Sequence, residues 1–167
     1  MNLIIKSRPG AEQHTSTVKT YAIRIHGKKV GGWHELVHPD CVVDTYEFDD
    51  IDDEEYYSGI PDVTLFDVDK GILVIRNFIA HRGDCLDLLV HCEEGKSRSP
   101  AIGLALNDIF DLGQDSLALT KKYVTLNDYI YGVMICAAQG LLLLDEAKLK
   151  HMREVKSQYD FWTKFHF

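Results

Sequence analysis

The segment His91-Cys92-Glu93-Glu94-Gly95-Lys96-Ser97-Arg98-Ser99-Pro100 places a thiol, a guanidinium and two hydroxyls within one short loop. It follows the apolar run Leu86 to Val90 and precedes a helical pattern from Ala101 to Phe110. A cysteine is therefore presented between a buried strand and a helix N-terminus. There, loop N–H groups and the helix dipole create positive potential that attracts phosphate and favours a thiolate over a thiol. Cys92 is the candidate nucleophile. Arg98, six residues on, can face the sulfur across a curled loop and grip two phosphate oxygens as a fork. Gly95 permits the backbone turn that points successive N–H groups inward, so residues 93 to 98 form a candidate anion nest. Ser99 can donate to the sulfur when it departs from phosphorus. His91 reads as a shaping residue rather than an acid or base.

A bare C-x5-R occurs by accident in roughly one chain in seven of this composition. Adding the preceding His, the glycine and the Ser after Arg98 reduces that to roughly a few in a hundred thousand. The competing reading, an ordinary buried cysteine at a strand end, is poorly served by such a loop.

These residues resemble the signature H-C-x5-R-[ST] of the cysteine-dependent protein tyrosine phosphatase superfamily. The chain looks like its compact, dual-specificity-like branch, and most like predicted tyrosine phosphatases of bacteria and their phages. Further segments carry the likeness: Leu3-Ile4-Ile5-Lys6-Ser7-Arg8, Phe48-Asp49-Asp50-Ile51-Asp52, Leu65-Phe66 through Asn77-Phe78-Ile79, and Asn127 with Tyr131. The resemblance spans roughly residues 2 to 135, with only the signature loop specific on its own. It implies a phosphocysteine intermediate, no metal and no nucleotide cofactor. Glu94 and Lys96 depart from the small or apolar residues common at those loop positions.

Attack by a thiolate leaves an alkoxide or phenoxide that needs a proton, which a carboxylic acid on another loop can supply. Asp50 is the first candidate. It follows the expected strand Val42 to Phe48, whose carboxyl end should share a sheet edge with Cys92, and the Phe48-x-Asp50-Ile51 pattern matches the resembled branch. Asp50 precedes Cys92 by 42 residues, longer than the roughly thirty common in the resembled dual-specificity branch, so the resemblance implies that the acidic segment up to Pro61 is an insertion. Asp62 is the runner-up and Asp49 the third choice. The acidic run Asp49 to Glu55 otherwise reads as a solvated, self-repelling loop.

The elements that must position these groups follow an α/β order. Expected strands are Asn2 to Lys6, Thr20 to Ile25, Val42 to Phe48 and Leu86 to His91. A helix is expected from about Thr64 to Ala80, with Thr64 and Asp67 in capping-box spacing, Ile72, Ile75, Phe78 and Ile79 on one face, and Gly83 beyond its end. Later helices are expected at Pro100 to Leu112, Asp115 to Tyr123, Asn127 to Ala138 and Asp145 to Phe165, with Gly113 and Gly140 as stops. The predicted fold is α/β: a small mixed, mostly parallel sheet flanked by helices on both faces, tyrosine-phosphatase-like, in one domain over residues 1–167.

At 167 residues and 46% hydrophobic, the chain can bury one sizeable core. A net charge of −8 argues against nucleic acid as a partner. Without an apolar leader or a bilayer-length apolar stretch, no membrane association is expected and cytoplasmic residence is the default. Cys41, Cys85, Cys92 and Cys136 lack zinc-like spacing and read as reduced thiols. Cys85 and Cys92, separated by a strand, stand about 23 Å apart by extended rise, too far for a disulfide. His34 and His38 near Glu35 approach metal-ligand spacing but have no helix to align them, so solvent-facing histidines are the favoured reading and no metal is assigned. The aromatic cluster Tyr159, Phe161, Trp162, Phe165 and Phe167 reads as a terminal helix packing on the core, or as a partner-binding face.

The expected activity is hydrolysis of a phosphomonoester, first of all phosphotyrosine in a protein or peptide. The alternatives are a dual-specificity or non-protein phosphate-ester phosphatase, and an inactive phosphotyrosine-binding module. The loop glutamates and acidic surface disfavour highly anionic lipids and RNA.

Overall fold

The computed structural model describes residues 1–28, 36, 40–51 and 62–157. Four strands form one sheet: β1 (Asn2–Ser7), β2 (Thr20–His26), β3 (Cys41–Glu47) and β4 (Asp87–Cys92). They lie in the order β1-β4-β2-β3, and every pairing is parallel. The described sheet is thus parallel throughout, in line with the mostly parallel sheet expected. No tight hairpin joins neighbouring strands, and the connections are crossovers, which parallel pairing requires. The strands agree with the sequence expectation to within one residue at each end.

Among the described residues six helices accompany the sheet: α1 (Arg8–Glu12), α2 (Val68–His81), α3 (Arg98–Phe110), α4 (Ser116–Lys122), α5 (Asp128–Gly140) and α6 (Glu146–Ser157). Strand alternation divides the core. Tyr21, Ile23 and Ile25 of β2 and Leu88, Val90 and Cys92 of β4 join the large cluster containing α2, α3 and α5. Ala22 and Leu89 face the other way, where Ala11 of α1 covers them together with Ile4 and Val43. Helices therefore flank both faces, and among the described residues the second layer is the short helix α1.

Helix α1 was not expected. Its signal is Ser7, whose hydroxyl accepts from the Gly10 N–H at 3.3 Å, followed by Pro9 in the first turn. Helix α2 starts later than expected. Asp67, not Thr64, is its N-cap, accepting from the Lys70 N–H at 2.9 Å. Its buried face is Gly71, Val74, Ile75 and Phe78, whereas Ile79 is exposed. Helix α3 is buried at every residue from Arg98 to Asn107, as befits a helix apolar almost all round that lies against β1 and β4. It ends at Asp111 in the left-handed conformation, ahead of Gly113. Helix α5 runs through Gly140 rather than stopping before it. The C-terminal aromatics, His34, Glu35, His38 and the acids from Asp52 to Glu55 lie outside the described residues.

One consequence of four parallel strands governs the site. All carboxyl ends emerge on the same edge, with Ser7 opposite Cys92 and His26 opposite Glu47 in register. Residues just past each strand, Gly27, Asp49, Asp50 and the loop after Cys92, are thereby gathered at that edge.

Candidate active site

Cys92 ends β4 and is only 2% exposed. Its Sγ accepts from the Gly95 N–H at 3.3 Å and lies 3.2 Å from Ser99 Oγ, itself fully buried. Gly95 has φ +71°, and a Cβ there would lie 2.5 Å from the Ser7 nitrogen. Only glycine fits this left-handed turn pressed against the end of β1. The adjoining Arg8 N–H donates to the Glu93 carbonyl at 3.1 Å, so the β1–α1 junction forms one wall of the loop.

Arg98, the first residue of α3, is 8% exposed. Its Nη1 donates to the Phe48 carbonyl at 3.0 Å and its Nη2 to Glu93 Oε2. Phe48 is fully buried and packs ring to ring on Phe66 at 4.6 Å, fixing the carbonyl that Arg98 uses. Arg98 Nε is buried without a hydrogen-bond partner among the described residues, 3.8 Å from Asp50 Oδ2.

The three candidate acids are separated by the fold. Asp50 is brought to the loop: its Oδ1 accepts from Ser97 Oγ at 2.6 Å and from Asn127 Nδ2 at 2.9 Å. Asp49 instead braces the chain. Its N–H donates to the Thr64 carbonyl at 2.8 Å, and its Oδ2 accepts from the Thr64 N–H at 2.9 Å. These bonds join the two ends of the segment between residues 49 and 64. Asp62 sits at φ +69° and pairs with Lys28 at 3.0 Å on the surface.

Ser97 is the N-cap of α3, yet its side chain does not cap. Ser7, Asp67, Asp115 and Asn127 each supply a side-chain oxygen to the first turn of their helix. Ser97 spends its hydroxyl on Asp50, leaving the first-turn N–H groups of α3 without a side-chain acceptor. Such a terminus suits an anion.

The other loop side chains differ from expectation. Glu93 is turned towards Arg98 and Gly27, whose N–H donates to Oε1 at 3.4 Å. Glu94 is exposed and pairs with Lys96 at 3.4 Å. Thr125 Oγ1 donates to the Lys96 carbonyl at 3.2 Å, and Asn127 both caps α5 and donates to the Ile51 carbonyl at 2.8 Å. Sequence reasoning attached no role to Glu93 as a brace, to Gly27 or to Asn127. Asn127 carried two usable signals, an N-cap type ahead of a helical pattern and its place among the residues of the family resemblance.

His91 lies on the sheet face opposite Cys92. Burial, reinforced by the nearby Arg24, lowers its pKa from 6.5 to about 4. A neutral imidazole there fits a shaping role. The remaining thiols, Cys41, Cys85 and Cys136, are free, and burial raises the pKa of each. Among the described residues no three His, Cys, Asp or Glu side chains are grouped to hold a metal ion. Among the same residues no helix is long and apolar enough to cross a membrane.

No family model matches the sequence, and no curated protein does. Among solved structures, the chain is similar to one described as "Crystal structure of Tk-PTP in the active form", with 10% identity, a TM-score of 0.39, and coverage of 95% of this chain and 94% of that one.

Proposed function

We propose that this chain is a phosphatase that hydrolyses phosphomonoesters through a phosphocysteine intermediate, with phosphotyrosine in a protein or peptide as its substrate. The observation that carries the reading is the environment of Cys92 Sγ. The sulfur faces the Gly95 N–H and the Ser99 hydroxyl, beside a helix terminus without a side-chain cap and a guanidinium whose Nε has no hydrogen-bond partner among the described residues.

In the first step the Cys92 thiolate attacks phosphorus and the P–O bond to the leaving group breaks. Protonated Asp50 gives its proton to the departing oxygen. Arg98 and the loop N–H groups hold the equatorial oxygens as charge redistributes. In the second step water attacks phosphorus, Asp50 carboxylate takes its proton, and the S–P bond breaks to return the thiolate. The Ser99 hydroxyl stabilises that thiolate as it leaves. No metal or cofactor enters either step. Burial of Cys92 supports an ester whose phosphorus projects well beyond its carrier chain, as in phosphotyrosine.

The test is Cys92→Ser, which should abolish turnover of an aryl phosphate while retaining oxyanion binding. Acid-quenched wild-type protein should carry a phosphoryl adduct on the Cys92 peptide. Residual activity within about tenfold of wild type would overturn the covalent step. A panel of phosphotyrosine, phosphoserine and phosphoinositide substrates tests the preference, and binding without turnover would identify an inactive recognition module instead.

A further inference from the structure

An acidic side chain inside an anion-binding loop opposes its own ligand by simple Coulomb repulsion. Glu93 occupies that position, immediately after the nucleophile. Its two oxygens are both committed, however: Oε2 accepts from Arg98 Nη2 and Oε1 from the Gly27 N–H at the end of β2. Its backbone carbonyl is also held, by the Arg8 N–H beyond β1.

The guanidinium of Arg98 is fixed from two sides, by the Phe48 carbonyl on Nη1 and Glu93 on Nη2. The buried Nε–H has no hydrogen-bond partner among the described residues and stands 3.8 Å from Asp50 Oδ2. An arginine that must present a planar fork to phosphate loses rotamer freedom to do so, and two fixed acceptors remove that freedom before the ligand arrives. Gly27 makes the arrangement possible. A Cβ there would lie 2.8 Å from Asp49 Oδ1 and 3.7 Å from Arg98 Nη1, crowding the point where the ends of β2 and β3 meet the loop.

Resting on the proposed function, we infer that Glu93 is a positioning residue, holding Arg98 so that its remaining N–H groups face the phosphate oxygens. Its charge is spent on the far side of the guanidinium.

The two roles available to a loop glutamate predict opposite signs. A merely repulsive acid gives tighter oxyanion binding when removed. A positioning acid gives weaker binding when removed, and also when shortened with its charge kept.

Tungstate affinity in the Cys92→Ser protein, measured by calorimetry, separates them. Glu93→Ala and Glu93→Asp should each weaken tungstate binding on the order of tenfold, the scale of a charge-assisted hydrogen bond. In an Arg98→Ala background the same changes should have no weakening effect. Unchanged or tighter binding in either variant overturns the inference, as does a loss that persists without Arg98. If Glu93→Ala does not fold, Glu93→Asp carries the test alone. Failure of wild-type protein to turn over an aryl phosphate would sink the phosphatase reading while leaving the Glu93–Arg98 coupling measurable.

Discussion

The side-chain amide of Asn127 donates to Asp50 Oδ1 at 2.9 Å across 77 residues of sequence. The same oxygen receives the Ser97 hydroxyl, whereas Oδ2 lies 3.8 Å from Arg98 Nε. With Oδ1 taken by two donors, a proton on the carboxyl belongs on Oδ2, on the side of Arg98 and hence of the bound phosphate. Asp50→Asn should then cost on the order of a hundredfold in kcat with a poor leaving group such as phenol. The cost should be much smaller with a very acidic phenol that departs unprotonated. Asn127→Asp keeps an acceptor for the α5 cap but turns a carboxylate towards Asp50 Oδ1 and the Ile51 carbonyl in a buried position, so it should lower Tm as well as disturb the leaving-group dependence. Asp62→Asn should have no such signature. If it does and Asp50→Asn does not, the acid is Asp62.

Gly95→Ala tests whether the loop depends on its close approach to β1. The Cβ would fall 2.5 Å from a backbone nitrogen at a residue with φ +71°. Backbone cannot yield there as a flexible side chain can, so the loop must shift and the Gly95 N–H must leave Sγ. A drop of at least about tenfold in kcat/KM is expected, together with a lower Tm. Wild-type kinetics in this variant would mean that the N–H to Sγ bond contributes nothing.

Much of the candidate loop's geometry was legible because its contacts are local. Cys92, Gly95, Arg98 and Ser99 lie within eight residues, and their side chains meet by the curl of one loop. Strands were legible for a related reason, since β2 and β4 are buried on both faces and read as apolar runs. What escaped depends on tertiary approach. The strand position and the resembled pattern put Asp50 ahead of Asp49, but that Asp49 clamps Thr64 while Asp50 meets Asn127 and Ser97 is set by the path of the chain after β3. In sequence Glu93 reads only as part of the anion nest, because nothing local shows that the Gly27 N–H and Arg98 converge on its carboxylate. The register of α2 was missed because Thr64 and Asp67 are both good N-caps, and the Asp49 bonds to the Thr64 backbone hold Thr64 outside the helix.

Charge stabilisation in the proposed reaction comes from Arg98 and the loop N–H groups. Turnover should therefore persist in excess EDTA. Vanadate, which mimics a five-coordinate phosphorus, should inhibit competitively. Loss of activity on chelation with recovery on adding Zn²⁺ or Mg²⁺ would transfer attention to a metal-dependent mechanism.

His91 supplies a prediction about stability rather than rate. It is fully buried, and burial together with Arg24 and Arg8 lowers its pKa to about 4 from 6.5, against a smaller opposing influence of Glu12. In the folded protein the imidazole is neutral over most of the range in which an unfolded histidine is protonated. The unfolded state therefore binds more protons between these two values, and stability must fall as pH drops from about 6.5 towards 4, levelling out below. The full difference corresponds to about 3 kcal/mol, an upper bound to be shared with other groups titrating in the same window. Urea unfolding of wild type and His91→Gln at pH 7 and pH 4.5 would measure it. The variant should be less stable at pH 7, because a buried imidazole is lost, but should lose less further stability on acidification. Equal losses in the two proteins would show that His91 is accommodated as the cation, and its shaping role beside Cys92 would then need a buried charge partner.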